Sequence, residues 1–201
     1  AVCGEGKMQS PIDISEFMSA DLPKLQIAYA PAPLHVVNNG HSIGFKYAPG
    51  SKFKSGEKIY DLLQFHFHTP SENYIDGAPY PMEMHLVHKA EDGELAVLAV
   101  MMKLGIANPA IQTLWDNIPA EGSETLKPEI MIDMRDLLPE DGAYYKFDGS
   151  LTTPPCTEGV KWHVLKQPIS ISRDQLTAFQ DLYPVNARPV QPLNGRIVQG
   201  N

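Results

Sequence analysis

The stretch LLQFHFHTPSEN, Leu62 to Asn73, sets two histidines one residue apart in an apolar run. Side chains alternate along a strand, so Leu63, Phe65 and Phe67 would share one face and Gln64, His66 and His68 the other. The phenylalanines can anchor such a strand in a core while two imidazoles stand side by side on the opposite surface. An HxH tripeptide alone is weak evidence of a metal, because a satisfied core histidine is the commoner outcome. A second run, MEMHLVH from Met82 to His88, strengthens the case. On a neighbouring strand, Glu83, His85 and Val87 would share a face. Glu83 could then accept the second N–H of the His85 ring, as metal-bound histidines usually require. His88 falls on the other face with Met82, Met84 and Leu86 and reads as a structural or a surface histidine rather than a ligand. The 17 positions from His68 to His85 allow a turn and a return. Three neutral imidazoles without a thiolate or a fourth side-chain ligand suit zinc, leaving the fourth tetrahedral position open for water. An open position points to catalysis rather than scaffolding.

The spacing His66-x-His68-x3-Glu72 also matches the core of a cupin metal motif, in which the glutamate itself ligates iron or manganese. The glycines that motif expects are absent: Tyr60 lies six residues before His66 and Pro79 seven after Glu72. No second motif with its own histidine follows. No HExxH is present, so a zinc protease has no support either.

The elements that must position these residues are short strands. LHVV, SIGFKY, LLQFHFH, MEMHLVH, LAVLAVMMKL and VKWHVL are separated by breakers such as PAP, NNG, APG, DGAPYP, EDG and TTPP. The expected fold is α+β and mainly β: a single domain over residues 1–201, built on a large twisted, mostly antiparallel central sheet with short peripheral helices. One helix is expected from Ser172 to Leu182, with Ser172 as N-cap and Leu176, Phe179 and Leu182 on one stripe. A second is expected from Asn108 to Asn117, with Pro109 at its first position and Ile111, Leu114 and Trp115 buried.

A chain of 201 residues can hold one large core. Its formal charge of −8 and absence of a basic cluster argue against nucleic acid and against anionic membrane surfaces. The longest wholly apolar run, Leu95 to Met102, is far short of the roughly 20 residues a membrane helix needs. The chain begins AVCGEG without an initiator Met or apolar leader, which reads as a processed or trimmed product. Cys3 and Cys156 fit no compact metal pair. Their even count suits one disulfide in an oxidising compartment, and two unrelated free thiols are the alternative.

Beyond the histidines, QSPIDI, NNGHS, QFHFH, SEN, ELAVLAV, SLTTPP and NARPVQPLNGR follow one another in an order that strongly resembles the α-class carbonic anhydrases, across essentially the whole chain. The resemblance implies reversible hydration of CO2 to bicarbonate and a proton by zinc-bound hydroxide. His66, His68 and His85 would be the zinc ligands, with Gln64 and Glu83 orienting His66 and His85 and the backbone of Asn186 holding His68. Thr152 would be a gate, accepting a hydrogen bond from the hydroxide and donating one to Glu72. Thr153 would lie beside the substrate, and the Thr152 backbone N–H would receive an oxygen of bicarbonate or inhibitor. Val87, Val97, Leu151, Val160 and Trp162 would wall the CO2 pocket. His41 would be the proton shuttle, with Asn39 anchoring its water chain. The alternative is a carbonic-anhydrase-like zinc-binding module without catalysis, to which some members have drifted by losing a ligand.

Some features depart from the usual family pattern. Only eight residues precede Gln9, so the longer aromatic N-terminal segment of the family, with a tyrosine of the active-site water network, is not in this sequence: either it was removed or proton transfer is altered. Thr69 follows His68 where many animal members carry tryptophan, and HTPSEN is more similar to bacterial members. Those members also carry cysteines placed like Cys3 and Cys156, which implies a disulfide and a periplasmic or secreted protein. They are often dimers, so a homodimer is the assembly the resemblance suggests.

Overall fold

The computed structural model describes residues 2–40, 42–183 and 185–201. Its principal strands are β1 (Ala32–Asn38), β2 (Ile43–Lys46), β3 (Lys58–His68), β4 (Met82–Lys89), β5 (Leu95–Leu104), β6 (Ser123–Ile132), β7 (Tyr144–Ser150) and β8 (Glu158–Ile171). They lie in one twelve-stranded sheet in the order β6-β1-β2-β3-β4-β5-β8-β7, extended past β7 by the short strands Gln199–Gly200 and Met18–Ser19. Pairing is antiparallel except between β5 and β8 and between the two short strands. The expectation of a mostly antiparallel central sheet therefore holds.

The two longest helices among the described residues pack at the periphery. α1 (Pro109–Trp115) is capped by Asn108, whose side chain accepts from the N–H groups of Ala110 and Ile111. α2 (Arg173–Leu182) carries a reciprocal capping box between Ser172 and Gln175. Leu176 and Phe179 are buried as expected, whereas Leu182, at the last turn, is exposed.

The reverse face of the sheet carries the main core, in which Phe45 stacks on Phe65 at 4.7 Å and Phe67 sits edge-on to Trp115 at 4.9 Å. Burying an aromatic side chain of this kind contributes about 1.5–3 kcal/mol. The strict alternation expected along β3 breaks at one residue. Gln64 faces Val87 but Leu62 faces His88, so Leu63 is the extra residue of a bulge. Leu62 and Tyr60 consequently enter the core, while Leu63 turns to solvent.

Candidate metal centre

Three cross-strand rows build the site. In one, Glu124, Val37, Gly44, His66, His85, Ala99 and Val164 are successive Cα partners from β6 to β8. In the next, Leu126, His35, Lys46, Gln64, Val87, Val97 and Trp162 run in parallel. His68 pairs with Glu83 on the other side. Partners share a face, so register alone gathers His66, His68, His85, Gln64 and Glu83 on one surface.

One ring nitrogen from each of His66, His68 and His85 comes within 4.8 Å of the others. The remaining nitrogens are engaged. Nδ1 of His66 donates to Gln64 Oε1 and Nδ1 of His68 to the backbone oxygen of Asn186, both at 2.9 Å. Nε2 of His85 lies 3.0 Å from Glu83 Oε1 in an ion-pair contact without the alignment of a hydrogen bond. That leaves Nε2 of His66 and His68 and Nδ1 of His85 for the centre.

Glu83 is wholly buried and still held ionised. Burial would raise its pKa, but His85 and Asn73 outweigh that and lower it. Its Oε2 accepts the N–H groups of Glu72 and Asn73 at 2.8 and 2.9 Å, and Asn73 Nδ2 donates to Oε1 at 2.8 Å. Burial, ahead of the neighbouring imidazoles, pushes His66 well below its ordinary pKa, and burial also lowers His68. At His85 the burial effect is overcome by Glu83 and then Glu72, so its pKa rises. The negative charge that favours a proton there equally favours a cation.

Whether a metal fits can be judged from the donors. Nε2 of His68 is buried and makes no hydrogen bond, a costly state unless a cation satisfies it. Neutral imidazoles are the form that binds zinc. The set fits, with one side open toward a cleft of about 340 Å³ whose walls include Val37, Gly44, Lys46, Gln64, His66 and Thr153.

Glu72 is not part of the imidazole group. Its Oε1 accepts the backbone N–H of Arg188 at 2.9 Å, while Oε2 is buried without a hydrogen bond, 3.4 Å from His68 Nε2. The Thr152-to-Glu72 hydrogen bond expected from the sequence is therefore not formed in this structure, although the acceptor it needs is free. Val87, Val97, Val160 and Trp162 are buried in a second apolar cluster against which Leu151 packs. Trp162 sits edge-on to His85 at 4.9 Å and donates to the Ser150 oxygen. His41 lies outside the described residues; Asn39 and Ser42 beside it line the cleft. His88 is structural rather than a ligand, as its face implied: Nδ1 donates to the Leu86 oxygen and Nε2 accepts from the Tyr29 hydroxyl at 2.7 Å.

Sequence reasoning missed three supports. The Asn186 side chain accepts from Thr69 N–H at 2.7 Å and donates to the Phe67 oxygen at 2.9 Å, clamping the end of β3. Arg188 ties Glu72 to the N-terminal segment through Gln9, Ser10 and Cys3. Asn73 holds Glu83. All three act from loops, where no periodicity marks them.

A three-imidazole group that could hold a metal, with an open side and set on the face of a large mixed sheet, is the arrangement expected of a metalloenzyme. The comparisons are specific. The family model of eukaryotic-type carbonic anhydrases matches residues 1–201, and the chain belongs to that family, the α carbonic anhydrases. It is 43% identical over 199 residues to the carbonic anhydrase of Pectobacterium carotovorum, covering 98% of this chain and 82% of that one. Against the carbonic anhydrase of a Nostoc species the identity is 42%, covering 98% and 77%. The Photobacterium profundum α-carbonic anhydrase structure superposes with a TM-score of 0.94 at 44% identity, covering 98% and 91%. That of Thermovibrio ammonificans in complex with sulfanilamide superposes at 0.95 and 42%, covering 98% and 89%.

Proposed function

We propose that the chain hydrates CO2 reversibly to bicarbonate and a proton, with zinc held by His66, His68 and His85. The observation that carries this reading is the convergence of three imidazole nitrogens whose partner nitrogens are all engaged, beside an apolar wall. When bound, zinc lowers the pKa of a coordinated water to about 7 and so supplies hydroxide at neutral pH, carbonic anhydrase itself being the standard case of that effect.

The chain's own residues do the rest. CO2 has no net dipole, so Val87, Val97, Leu151, Val160 and Trp162 hold it by contact rather than by hydrogen bonds. Gln64, Glu83 and the Asn186 backbone fix the ring orientations. Oε2 of Glu72 makes no hydrogen bond in this structure and is free to accept one from the Thr152 hydroxyl, which would leave the Thr152 oxygen able only to accept. A threonine held that way would favour a reacting oxygen that still carries its own proton. Thr153 flanks the substrate, and the Thr152 N–H receives a bicarbonate oxygen. His41, with Asn39 anchoring water, passes the released proton to buffer, since imidazole changes charge near neutrality. The Cys3–Cys156 bridge supports an oxidising location, the periplasm or the outside of the cell.

A stopped-flow assay on protein carrying one zinc per chain is expected to show CO2 hydration well above the buffer rate. Stoichiometric zinc without hydration would favour a non-catalytic binding module instead, a reading against which all three intact histidines stand.

A further inference from the structure

Outward from the metal centre the sheet continues for three strands whose cleft-side residues have no part in the chemistry above. Gly44, Val37 and Glu124 follow His66 in its row, and Lys46, His35 and Leu126 follow Gln64 in the next. The alternate positions Leu34, Val36, Ile43 and Phe45 are buried in the reverse-face core, which sets His35 and Lys46 on the cleft side. There Glu124 Oε1 accepts from His35 Nε2 at 2.5 Å and from Lys46 Nζ at 2.7 Å. The groups facing His35 are thus Lys46 from β2 and Glu124 and Leu126 from β6. The His35 side chain is 27% exposed and that of Glu124 47%, so the pair reaches bulk water.

The interval between this cluster and the metal centre is open. β1 stands two strands from β3, a separation of about 10 Å at ordinary strand spacing. Gly44 lies between, and a Cβ built on it would meet no atom within 4 Å. Val37, Gly44 and Lys46 line the same cleft that ends on His66 and His68. A short chain of waters can cross such a gap.

We infer that His35, paired with Glu124 and Lys46, is a second exit for the proton released by CO2 hydration, working in parallel with His41. This rests on the proposed function. Nε2–H of His35 stays bonded to the Glu124 carboxylate. Nδ1, the nitrogen left free, accepts a proton delivered through cleft water and then releases the same proton to buffer. Only O–H and N–H bonds are made and broken, and the ring returns to neutrality each cycle. Glu124 lies against the ring and Lys46 against the same carboxylate oxygen. Lys46 first and His35 second hold the Glu124 carboxyl below the usual carboxylate range, so it remains ionised throughout.

The test uses zinc-loaded protein and follows oxygen-18 loss from labelled CO2 and bicarbonate, which separates their interconversion from the proton-dependent release of labelled water. His35→Gln is expected to slow water release selectively, about twofold with His41 intact and on the order of tenfold in a His41→Ala background. Imidazole buffer is expected to restore both. Unchanged water release in both backgrounds overturns the exit, whereas absence of interconversion in the parent protein overturns the proposed function instead. A readout independent of turnover is the carbon-13 NMR titration of the Glu124 carboxyl, expected to move upward in Lys46→Gln and in His35→Gln. A titration unmoved by either substitution overturns the cluster.

Discussion

In the candidate centre each ring has an oxygen acceptor beside one of its nitrogens, which biases its tautomer. Gln64, Asn186 and Glu83 each occupy one nitrogen of a different imidazole, and the excess negative charge sits at His85, between Glu83 and Glu72. The free Oε2 of Glu72 is the group through which Thr152 would act. Thr152→Ala is expected to lower the CO2 hydration rate by one to two orders of magnitude with zinc content unchanged, the loss of an oriented hydrogen bond worth about 2 kcal/mol. Parallel stopped-flow and metal analysis check it, and an unchanged rate would remove the gate role. Much of this was legible from residue spacing, because His66, His68, His85, Gln64 and Glu83 lie on adjacent strands where a period of two decides the face. The side chain of Asn186 was not, since its bonds to Phe67 and Thr69 span well over a hundred residues and follow from tertiary closure alone.

Among the elements, the strands richest in apolar residues were the readable ones, and LAVLAVMMKL forms β5 from Leu95 to Leu104 as its composition implied. β6 and β7 were missed. β6 lies at the sheet edge, is largely exposed, and carries Pro128 where its register against β1 slips between Lys127 and Met131. β7 mixes Lys146 and Asp148 among its apolar residues. The bulge at Leu63 was equally invisible, because it depends on where β4 pairs. On the reverse face, burial pushes His88 down to about 3 and His163 down to about 4. Both rings are thus neutral in the folded chain, whereas in the unfolded chain they take up protons below their ordinary pKa near 6.5. They add no slope above that pH. As pH falls from 6.5 toward 4, each removes stability at roughly 1.4 kcal/mol per pH unit. Urea unfolding at several pH values is expected to show a shallower acid slope for His88→Gln than for the parent, despite a lower midpoint at neutral pH. Equal slopes would contradict the buried-neutral assignment.

For the whole molecule, one sheet separates two apolar clusters, and the metal centre lies on the face opposite the larger one. The N-terminal segment is fastened to the loop that follows Ser150 by the Cys3–Cys156 disulfide, and Gln9 donates to the Cys156 backbone oxygen at 3.1 Å. Because the bridge closes 153 positions of chain, Cys3→Ser with Cys156→Ser is expected to cost about 2–5 kcal/mol in denaturant unfolding. An unchanged unfolding free energy would show that the bridge does not constrain the fold. The central claim is that the three imidazoles hold a catalytic zinc, and it is tested most directly by removing the metal. Chelation should abolish CO2 hydration in stopped flow, and adding back one zinc per chain should recover it. Full activity in demonstrably zinc-free protein would contradict the account.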